Sequence, residues 1–452
     1  MDAFEVVDTA PISPGQERLL AAEFAIADGL WPDARDESRL RPVDIGLVRL
    51  RGELDVASLE AALSQLIERQ AALRTTFRLP PHGLPVQVIG PVRMYRLAVR
   101  SLSHEPDDLR KLLRKTAVDP RRTRLFEATL FRLSPTHYVL ALEIHHLVSD
   151  GWSIGVIYRD LSELYNAVVS GRSPRLPILA TTFAEQSVFM HRSRHDSVME
   201  SQVDYWRAEI GGRWPRIWQR HSSTEEVEVD EAPVTIDADT LQRIGDLSRG
   251  LSQRGGLAGP ILAALAATVS LQTGAHDVRM GTMVSNRRDL AREALIGYFV
   301  NIVVIRLQIY SEMTLRQLVS QVNRKVTAAA DCQEVPIQDV IARLRAETPQ
   351  DEEPYEITVA LNNMRQTTLT LDGLTCSDIP EAGLGVRLAS TRIKQRWLLE
   401  QSGSDLVGTL TYQTAVFRPD EARRYIAGFE SILRSVVQGD IDRTISDLRA
   451  CR

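Results

Sequence analysis

The segment HYVLALEIHHLVSDGWS, residues 137–153, is the most informative part of the sequence for the fold, and the rest of the chain is interpreted from it. Its first part is mostly apolar and contains β-branched residues, which predicts a buried strand. The strand leads into His145 and His146, and Asp150-Gly151 follow after a short step. Apolar residues then recur at helical spacing as far as Tyr165, so the segment predicts a strand, a turn and a helix.

The predicted turn has the residues of a proton-transfer site. Neighbouring side chains at a strand end point to opposite faces, so one histidine is expected to face the interior and the other a cleft. A neutral imidazole can accept a proton, because its unperturbed pKa is about 6.5. We expect the Asp150 carboxylate to fold back over the turn. Gly151 would allow an unusual backbone conformation and a close approach of substrate.

The start of the predicted helix adds a place for developing charge. Free backbone N–H groups converge at a helix N-terminus and could stabilise negative charge on a thioester oxygen. The segment 145–151 therefore predicts acyl transfer to an acceptor without a covalent enzyme intermediate. The acceptor is an amine or an alcohol, and an alcohol makes the stronger demand on a base.

Strands and helices alternate along the whole chain of 452 residues, which predicts two mixed α/β lobes. The connector GRSPRLP, residues 171–177, predicts a division into 1–175 and 176–452. Strands are expected near 43–51, 85–100, 125–146, 278–285 and 299–309, with more between 355 and 417. Helices are expected after Asp55 and at 180–210, 257–273, 314–330, 336–346 and 419–437.

Composition excludes several classes of protein. The net charge of -5 and a pI near 6.1 argue against a nucleic-acid surface. The three cysteines are widely spaced, which argues against a disulfide framework or a zinc site. The N-terminus has no signal-peptide core, and no apolar run is long enough to span a bilayer. We therefore expect a cytoplasmic protein that acts without a membrane.

Two other chemistries match the same residues. GWSIG, residues 151–155, matches the G-x-S-x-G nucleophile elbow of serine hydrolases, with Ser153 as the nucleophile. That fold expects its acid and histidine after the serine, whereas here the best histidines precede it. A metal site at His145, His146 and Asp150 is also disfavoured, because adjacent strand residues cannot both face one ion.

Several distant segments, taken together, carry a family resemblance. These segments are HHLVSDGWS (145–153), SPGQERL (13–19), RQAALRTTF (69–77), YW (205–206), IGYFVN (296–301) with Arg306, and QEVP (333–336). With them the chain resembles the condensation domains of nonribosomal peptide synthetases, which belong to the chloramphenicol acetyltransferase-like superfamily. They run through nearly the whole chain, so the resemblance is not confined to one motif.

The resemblance implies two acetyltransferase-like lobes in a V-shaped pseudo-dimer with a central tunnel. It implies that His146 is catalytic, as a general base or as a positioning group. The implied supporting residues are His145, Asp150, Gly151, Trp152, Ser153, Arg69 and Arg74, with Tyr298 and Asn301 at the tunnel. Asp150 would pair with Arg69 or Arg74. A partner carrier protein would supply the phosphopantetheine arm, and no cofactor would bind directly.

The sequence also departs from the family pattern. Gln70 replaces the usual histidine of the second motif, Cys332 stands where His or Asn is common, and Ile337 replaces a phenylalanine. The segment VALNNMR, residues 359–365, lies where an Arg-Asp-x-Ser-Arg-Asn sequence is expected, and Arg396 lies where an Asp-Leu pair is usual. These departures leave the acceptor open.

The residues after the motif separate the subtypes. Asp150-Gly151-Trp152-Ser153 has the condensing form, because epimerisation domains carry Asp-Gly-Val-Ser-Trp-Arg. The resemblance therefore implies transfer from a carrier-protein thioester to an acceptor that is either carrier-bound or a free small molecule. Recruitment of other enzymes without catalysis is the alternative. No adenylation, carrier or thioesterase region is visible, so the chain would be free-standing if it is the whole protein and would otherwise be a piece of a larger synthetase. We also expect a monomer.

Overall fold

The computed structural model describes residues 7–24, 43–78, 85–105, 125–194, 196–221, 228–251, 256–362, 367–379, 393–402 and 404–449. Within these ranges the chain forms two compact units of mixed α/β structure. The first contains the described parts of Met1–Arg194, Ser285–Val300 and Arg365–Val386. The second contains the described parts of His195–Val284, Asn301–Met364 and Arg387–Arg452. The mixed α/β class predicted from the sequence is confirmed.

Most predicted elements form within a few residues of their expected ends. The strands are β1 Asp8–Pro11, β2 Val43–Gly52, β3 Thr75–Arg78, β4 Val86–Ile89, β5 Ala98–Ser101, β6 Phe126–Ser134, β7 His137–His145, β8 Val229–Ile236, β9 Asp277–Val284, β10 Asn301–Gln308, β11 Ile357–Asn362, β12 Leu374–Asp378, β13 Gln395–Ser402 and β14 Asp405–Gln413.

The helices account for the remaining regular structure of the described ranges. The α-helices are α1 Pro14–Phe24, α2 Val56–Arg69, α3 Gly151–Val169, α4 Phe183–Ser193, α5 Ser197–Ile210, α6 Ala238–Leu251, α7 Ala258–Thr273, α8 Leu290–Glu293, α9 Leu315–Asp331, α10 Ile337–Glu347, α11 Pro419–Val437 and α12 Ile445–Arg449. Short 3₁₀ helices cover Ala71–Arg74, His146–Val148 and Asp440–Asp442.

Strand β7 lies in the middle of a five-stranded sheet with the order β12-β2-β7-β6-β5. It is antiparallel to both neighbours, and β2 pairs with it from Val43–His145 to Arg51–His137. Leu140, Leu142 and Ile144 are wholly buried on the face that packs with the helices. The sheet therefore fixes the end of β7, where His145 lies, from both sides.

Helix α2 begins as the sequence predicts, because the Asp55 side chain accepts hydrogen bonds from the Ala57 and Ser58 backbone N–H groups. Its apolar stripe is buried against α3, whose own stripe includes Leu161 and Leu164. Burial of apolar surface stabilises such packing by roughly 25 cal/mol per Å². The two helices thus support the sheet face beneath the turn at residues 146–148.

The second unit is built on a six-stranded sheet with the order β10-β9-β11-β13-β14-β8. Strand β11 runs parallel to both β9 and β13, and the other pairs are antiparallel. Helix α7 is apolar and buried along most of its length, between α9 and α11. Among the described helices, none combines the length and the apolar character that crossing a membrane requires.

The predicted division at residue 175 differs from the observed units. The first unit continues to Arg194 and also takes in residues 285–300 and 365–386. The reason is pairing at a distance, since β12 joins the sheet edge beside β2 with Asp378 opposite Val48. The boundary of independently folding domains at 175 and 176 stays a prediction.

Candidate active site

The two histidines of the motif have different environments. His145 is the last residue of β7 and is wholly buried. His146 opens the 3₁₀ turn that follows and is partly exposed. The expectation that one histidine faces the interior agrees with this arrangement, and His146 is the more exposed of the two.

The His145 side chain holds the turn together. Its Nδ1 atom accepts a hydrogen bond from the Leu147 backbone N–H at 3.0 Å, and the Ser149 hydroxyl donates to the His145 carbonyl at 3.2 Å. Because Nδ1 accepts, a neutral His145 carries its proton on Nε2. Its role is to shape the backbone that presents His146.

Gln16 of helix α1 fixes the same turn from the other side. This residue is wholly buried, and its Nε2 donates to the Leu147 carbonyl at 2.5 Å. Its Oε1 accepts from the Ser13 backbone N–H at 2.7 Å, while the Ser13 hydroxyl accepts from the Gln16 N–H at 3.2 Å. Both ends of the Leu147 residue are therefore bonded, which restrains the position of its neighbour His146.

Asp150 caps helix α3 and lies at the centre of a buried network. Its Oδ1 accepts from the backbone N–H of Ser153 at 3.1 Å and from the Ser153 hydroxyl at 2.9 Å. Its Oδ2 accepts from the Phe299 N–H at 3.0 Å. The carboxylate thus ties the start of α3 to the segment 297–299, as its predicted supporting role requires.

The cation that pairs with Asp150 is Arg287, whose Nη2 lies 2.9 Å from Oδ1. The prediction that Asp150 pairs with Arg69 or Arg74 is wrong. Arg287 also donates to the carbonyls of Leu295, at 2.6 Å, and Gly297, at 3.0 Å. Sequence reasoning missed this residue, although its place a few positions before IGYFVN was an available signal.

Burial gives the Asp150–Arg287 pair its electrostatic character. Desolvation lowers the pKa of the Arg287 guanidinium, while the Asp150 charge acts in the opposite direction. The guanidinium lies 4.3 Å from the centre of the Phe299 ring. In a medium that excludes water each charge compensates the other, so the loss of either partner would leave the other buried and unpaired.

Arg69 and Arg74 lie elsewhere in the first unit. Arg69 Nε lies 3.0 Å from Asp160 Oδ2 on helix α3, and its Nη2 donates to the Pro177 carbonyl. Arg74 donates to the Gly90 carbonyl, and burial lowers the pKa of its guanidinium. Both support the scaffold, because their partners belong to α3 and to the connecting loops.

Gln70, which replaces the usual histidine, has a definite structural role. It is 1% exposed, and its Nε2 donates to Asp160 Oδ2 at 3.1 Å and to the Ala294 carbonyl at 3.0 Å. Its Oε1 accepts from the Ile296 N–H at 3.1 Å. The segment 69–77 therefore contacts residues 294–296 through the Gln70 side-chain amide, which forms hydrogen bonds with both its nitrogen and its oxygen.

Gly151 and Trp152 follow Asp150 at the start of helix α3, and the backbone conformation of Gly151 differs from the expected one. Gly151 is the first residue of α3, and its backbone is not left-handed, so the expected unusual conformation is wrong. A helix start needs ordinary helical backbone, which any residue can adopt. Trp152 Nε1 donates to the Glu293 carbonyl at 3.0 Å, which anchors α8 to α3.

Ser153 is wholly buried, and its hydroxyl donates to Asp150 Oδ1 and contacts the Gly297 carbonyl at 3.2 Å. A serine nucleophile must instead be exposed and bonded to a base. Its backbone N–H is also taken up by the Asp150 cap. The hydrolase interpretation is disfavoured by this geometry.

Two residues were expected at the tunnel. Tyr298 packs edge-on against the His146 ring, with the ring centres 6.4 Å apart. Asn301, at the start of β10, donates to the carbonyls of Gln333, at 2.8 Å, and Val335, at 2.7 Å. These bonds give Asn301 a structural role in the second unit, and its place at a tunnel stays a prediction.

The arrangement favours proton transfer at His146. His146 is partly exposed as a residue although its Nδ1 atom is buried, and hydrogen bonds to the N–H and the carbonyl of Leu147 restrain its backbone. The nearby serines, Ser149 and Ser153, are both wholly buried. Within the described ranges, no set of three His, Cys, Asp or Glu side chains is placed to hold a metal ion. A neutral imidazole on such a restrained turn is a group that can accept a proton.

Comparison with known proteins finds relatives that match most of the chain. The family model described as "Condensation domain" matches residues 45–448. The chondramide synthase of Chondromyces crocatus is 30% identical over 402 residues, which make up 86% of this chain and 10% of that protein. The beauvericin nonribosomal cyclodepsipeptide synthetase of Gibberella fujikuroi is 30% identical over 401 residues, or 86% of this chain and 12% of that protein. The chain thus spans about a tenth of the length of these relatives.

A solved structure has the same fold. The X-domain of teicoplanin biosynthesis, in its complex with OxyB, superposes with a TM-score of 0.76 at 24% identity. The match covers 99% of this chain and 97% of the X-domain chain. At this level of identity, the likeness shows the fold and leaves the activity to be argued from the site.

Proposed function

Because the chain belongs to the condensation-domain family, we propose that it transfers an acyl or aminoacyl group from a carrier-protein thioester to an amine or a hydroxyl. The product is an amide or an ester, with the amide favoured by the frequency of amide formation among similar domains. The ester remains a candidate product, because one relative is named as a cyclodepsipeptide synthetase.

The observation that carries this proposal is the state of the motif. His146 is partly exposed, while His145 and Asp150 are buried and bonded as supports. A partly exposed histidine held on a restrained turn is placed as a general base would need to be. General-base assistance from such a group typically contributes about 10²–10⁴-fold to a rate.

In the proposed step, the nitrogen or oxygen atom of the acceptor attacks the carbonyl carbon of the thioester. His146 accepts the proton that the nucleophile loses as the new C–N or C–O bond forms. The C–S bond then breaks, and the carrier thiol leaves with a proton returned from His146. No bond forms between the enzyme and the acyl group, which agrees with the burial of Ser149 and Ser153.

The donor reaches this site as cargo of a second protein. We propose that a peptidyl or acyl carrier protein presents the acyl group on its phosphopantetheine arm, with no cofactor bound by the chain itself. The acceptor is carrier-bound or a free small molecule. Tyr298, beside His146, and Asn301 would then lie along the path of these substrates. We place the reaction in the cytoplasm, carried out by a monomer.

Recruitment without catalysis is a second candidate function. It is favoured by the likeness to the X-domain, which was solved in complex with OxyB. In that case the surface would bind a partner enzyme, and His146 would have no role in bond formation. The partly exposed His146 argues for catalysis over recruitment.

The experiment presents carrier-bound acyl and aminoacyl donors to the protein together with panels of amines and alcohols. Mass spectrometry of the carrier and of the small molecules detects the product. We expect an amide or ester that forms with wild type and is lost with His146→Ala. Tight carrier binding without product from any donor would favour recruitment instead.

A further inference from the structure

We propose that Tyr298 is a positioning residue whose ring orients the His146 imidazole. Arg18 of helix α1 in turn holds the Tyr298 ring in place through its hydroxyl. The proposal rests on the proposed function, in which His146 accepts a proton. It assigns a task to a position that the family motif Ile-Gly-x-Phe-Val-Asn leaves open, since Tyr298 occupies the variable place.

The first observation is the contact between the two rings. Their centres are 6.4 Å apart and their planes are inclined at 66°, which is an edge-on arrangement. Aromatic rings prefer such geometries to parallel stacking. Tyr298 is 8% exposed, whereas His146 is partly exposed, so the phenol ring forms a fixed wall beside a reachable imidazole.

The second observation is the anchoring of that wall. Arg18 Nη2 donates to the Tyr298 hydroxyl at 2.9 Å and to the Val300 carbonyl at 3.4 Å. The guanidinium carbon also lies 5.9 Å from the centre of the Tyr298 ring. Arg18 therefore binds both the Tyr298 hydroxyl and the Val300 carbonyl, two residues further along the chain, and these bonds restrict the tilt of the Tyr298 ring.

The third observation is the close approach of Gly15 to the ring. A Cβ atom at Gly15 would lie 3.1 Å from Tyr298 Cδ1 and 3.3 Å from Cε1. Glycine at this position allows α1 to approach the ring closely. The next residue, Gln16, holds the Leu147 carbonyl. One end of α1 thus supports His146 through its ring neighbour and through its backbone neighbour.

These contacts lead to a quantitative expectation. A catalytic group displaced by about 1 Å can lose about 10²-fold in rate. Tyr298→Phe keeps the ring and removes only the hydroxyl, so kcat should fall by about 2–5-fold. Tyr298→Leu removes the ring, so kcat should fall by roughly 10–100-fold, which is more than the change in KM for donor or acceptor. Exposed Tyr310 of the second unit provides the matched control, as Tyr310→Leu.

The test combines these kinetics with NMR spectra of the protein labelled at histidine. The signal of His146 is identified by its absence from His146→Ala, and the nearby phenol ring should displace it. We expect the signal to move in Tyr298→Leu, to move by a smaller amount in Tyr298→Phe, which loses the bond to Arg18, and to remain in Tyr310→Leu. Wild-type kcat in Tyr298→Leu, or an unmoved His146 signal in that variant, would overturn the proposal.

Gly15→Ala gives an independent outcome if Tyr298→Leu fails to fold. The added methyl group crowds the Tyr298 ring without removing any side chain that contacts His146. A shifted His146 signal with reduced kcat supports the proposal, and an unchanged signal contradicts it. If wild type forms no product, the proposed function fails, while the histidine spectra still decide whether Tyr298 orients His146.

Discussion

The Oδ1 atom of Asp150 lies 2.9 Å from Nη2 of Arg287, and neither side chain is more than 1% exposed. The two residues come from distant parts of the sequence, and their pairing joins the start of helix α3 to the segment that carries Tyr298. The active-site turn is therefore built from two segments that the sequence separates widely.

Arg287→Ala should destabilise the protein strongly, because it leaves the Asp150 carboxylate buried without its cation. Breaking one partner of a buried pair typically costs about 3–5 kcal/mol. Urea denaturation measures the free energy of unfolding. Arg216→Ala is the control, because it removes an exposed partner of Glu352, which should cost under about 1 kcal/mol. Equal losses in the two variants would show that the buried pair has no special weight.

Ser153→Ala should lower stability and leave most of the activity. The hydroxyl bonds to Asp150 and contacts Gly297, so its removal leaves buried groups unpaired at a cost of about 1–3 kcal/mol. Product formation and urea denaturation are measured on the same preparation. A folded Ser153→Ala variant with no activity, beside an active His146→Ala variant, would point to a serine hydrolase instead.

Gly297→Ala should destabilise the protein, because the new Cβ would overlap the ring of Phe183. Overpacking of this kind typically costs about 1–3 kcal/mol. The double variant with Phe183→Leu should recover part of the loss. Gly250→Ala is the control, because nothing lies near that position and it belongs to helix α6. A neutral Gly297→Ala variant would contradict the packing described for this segment.

Glu143 should make the stability of the protein depend on pH. Burial, together with its cross-strand neighbour Glu127, raises the pKa of Glu143 from 4.5 to about 7. Its contribution to stability is therefore complete below pH 4.5 and is lost as the pH rises through 7.

Glu143→Gln imitates the protonated form and tests this sign. The variant should gain about 1–2 °C in Tm over wild type at pH 8 and gain little at pH 4.5. Exposed Glu53→Gln provides the control, with no such trend expected. A gain that is equal at both pH values would mean that Glu143 does not titrate between them.

Local sequence patterns predicted the central elements well. Strand β7 and helix α3 follow from apolar periodicity, and the Asp55 cap marks the start of α2. The predicted last helix has the observed bounds Pro419–Val437. Each of these signals depends on neighbours within one or two helical turns, so the chain itself displays them.

The elements that the sequence did not predict have weaker patterns. Helix α6 and strand β8 were not predicted from the sequence. Helix α1, which includes most of SPGQERL (13–19), has no clear apolar stripe. Strand β12 was expected in the second half, yet it pairs with β2 of the first unit. Pairing between distant strands leaves no local trace, so periodicity cannot assign a strand to its sheet.

The site shows the same limit. The roles of His145 and Asp150 as supports followed from the resemblance, and their hydrogen bonds agree with it. The partner of Asp150 did not follow, because several arginines satisfy the same chemistry and only the fold selects Arg287. The bonds of Gln70 to Ala294 and Ile296 could not be predicted either, because these residues are more than 200 positions away in the sequence and only the fold brings them together.

The most direct measurement of the central claim is a single-turnover rate with an acyl group loaded on its carrier and a saturating acceptor. We expect acyl transfer by the wild-type protein to be faster than by a folded His146→Ala variant by about 10²-fold or more. Matched urea denaturation of the two proteins shows that the difference is not one of folding. Equal single-turnover rates would contradict the assignment of His146 as the residue that moves the proton.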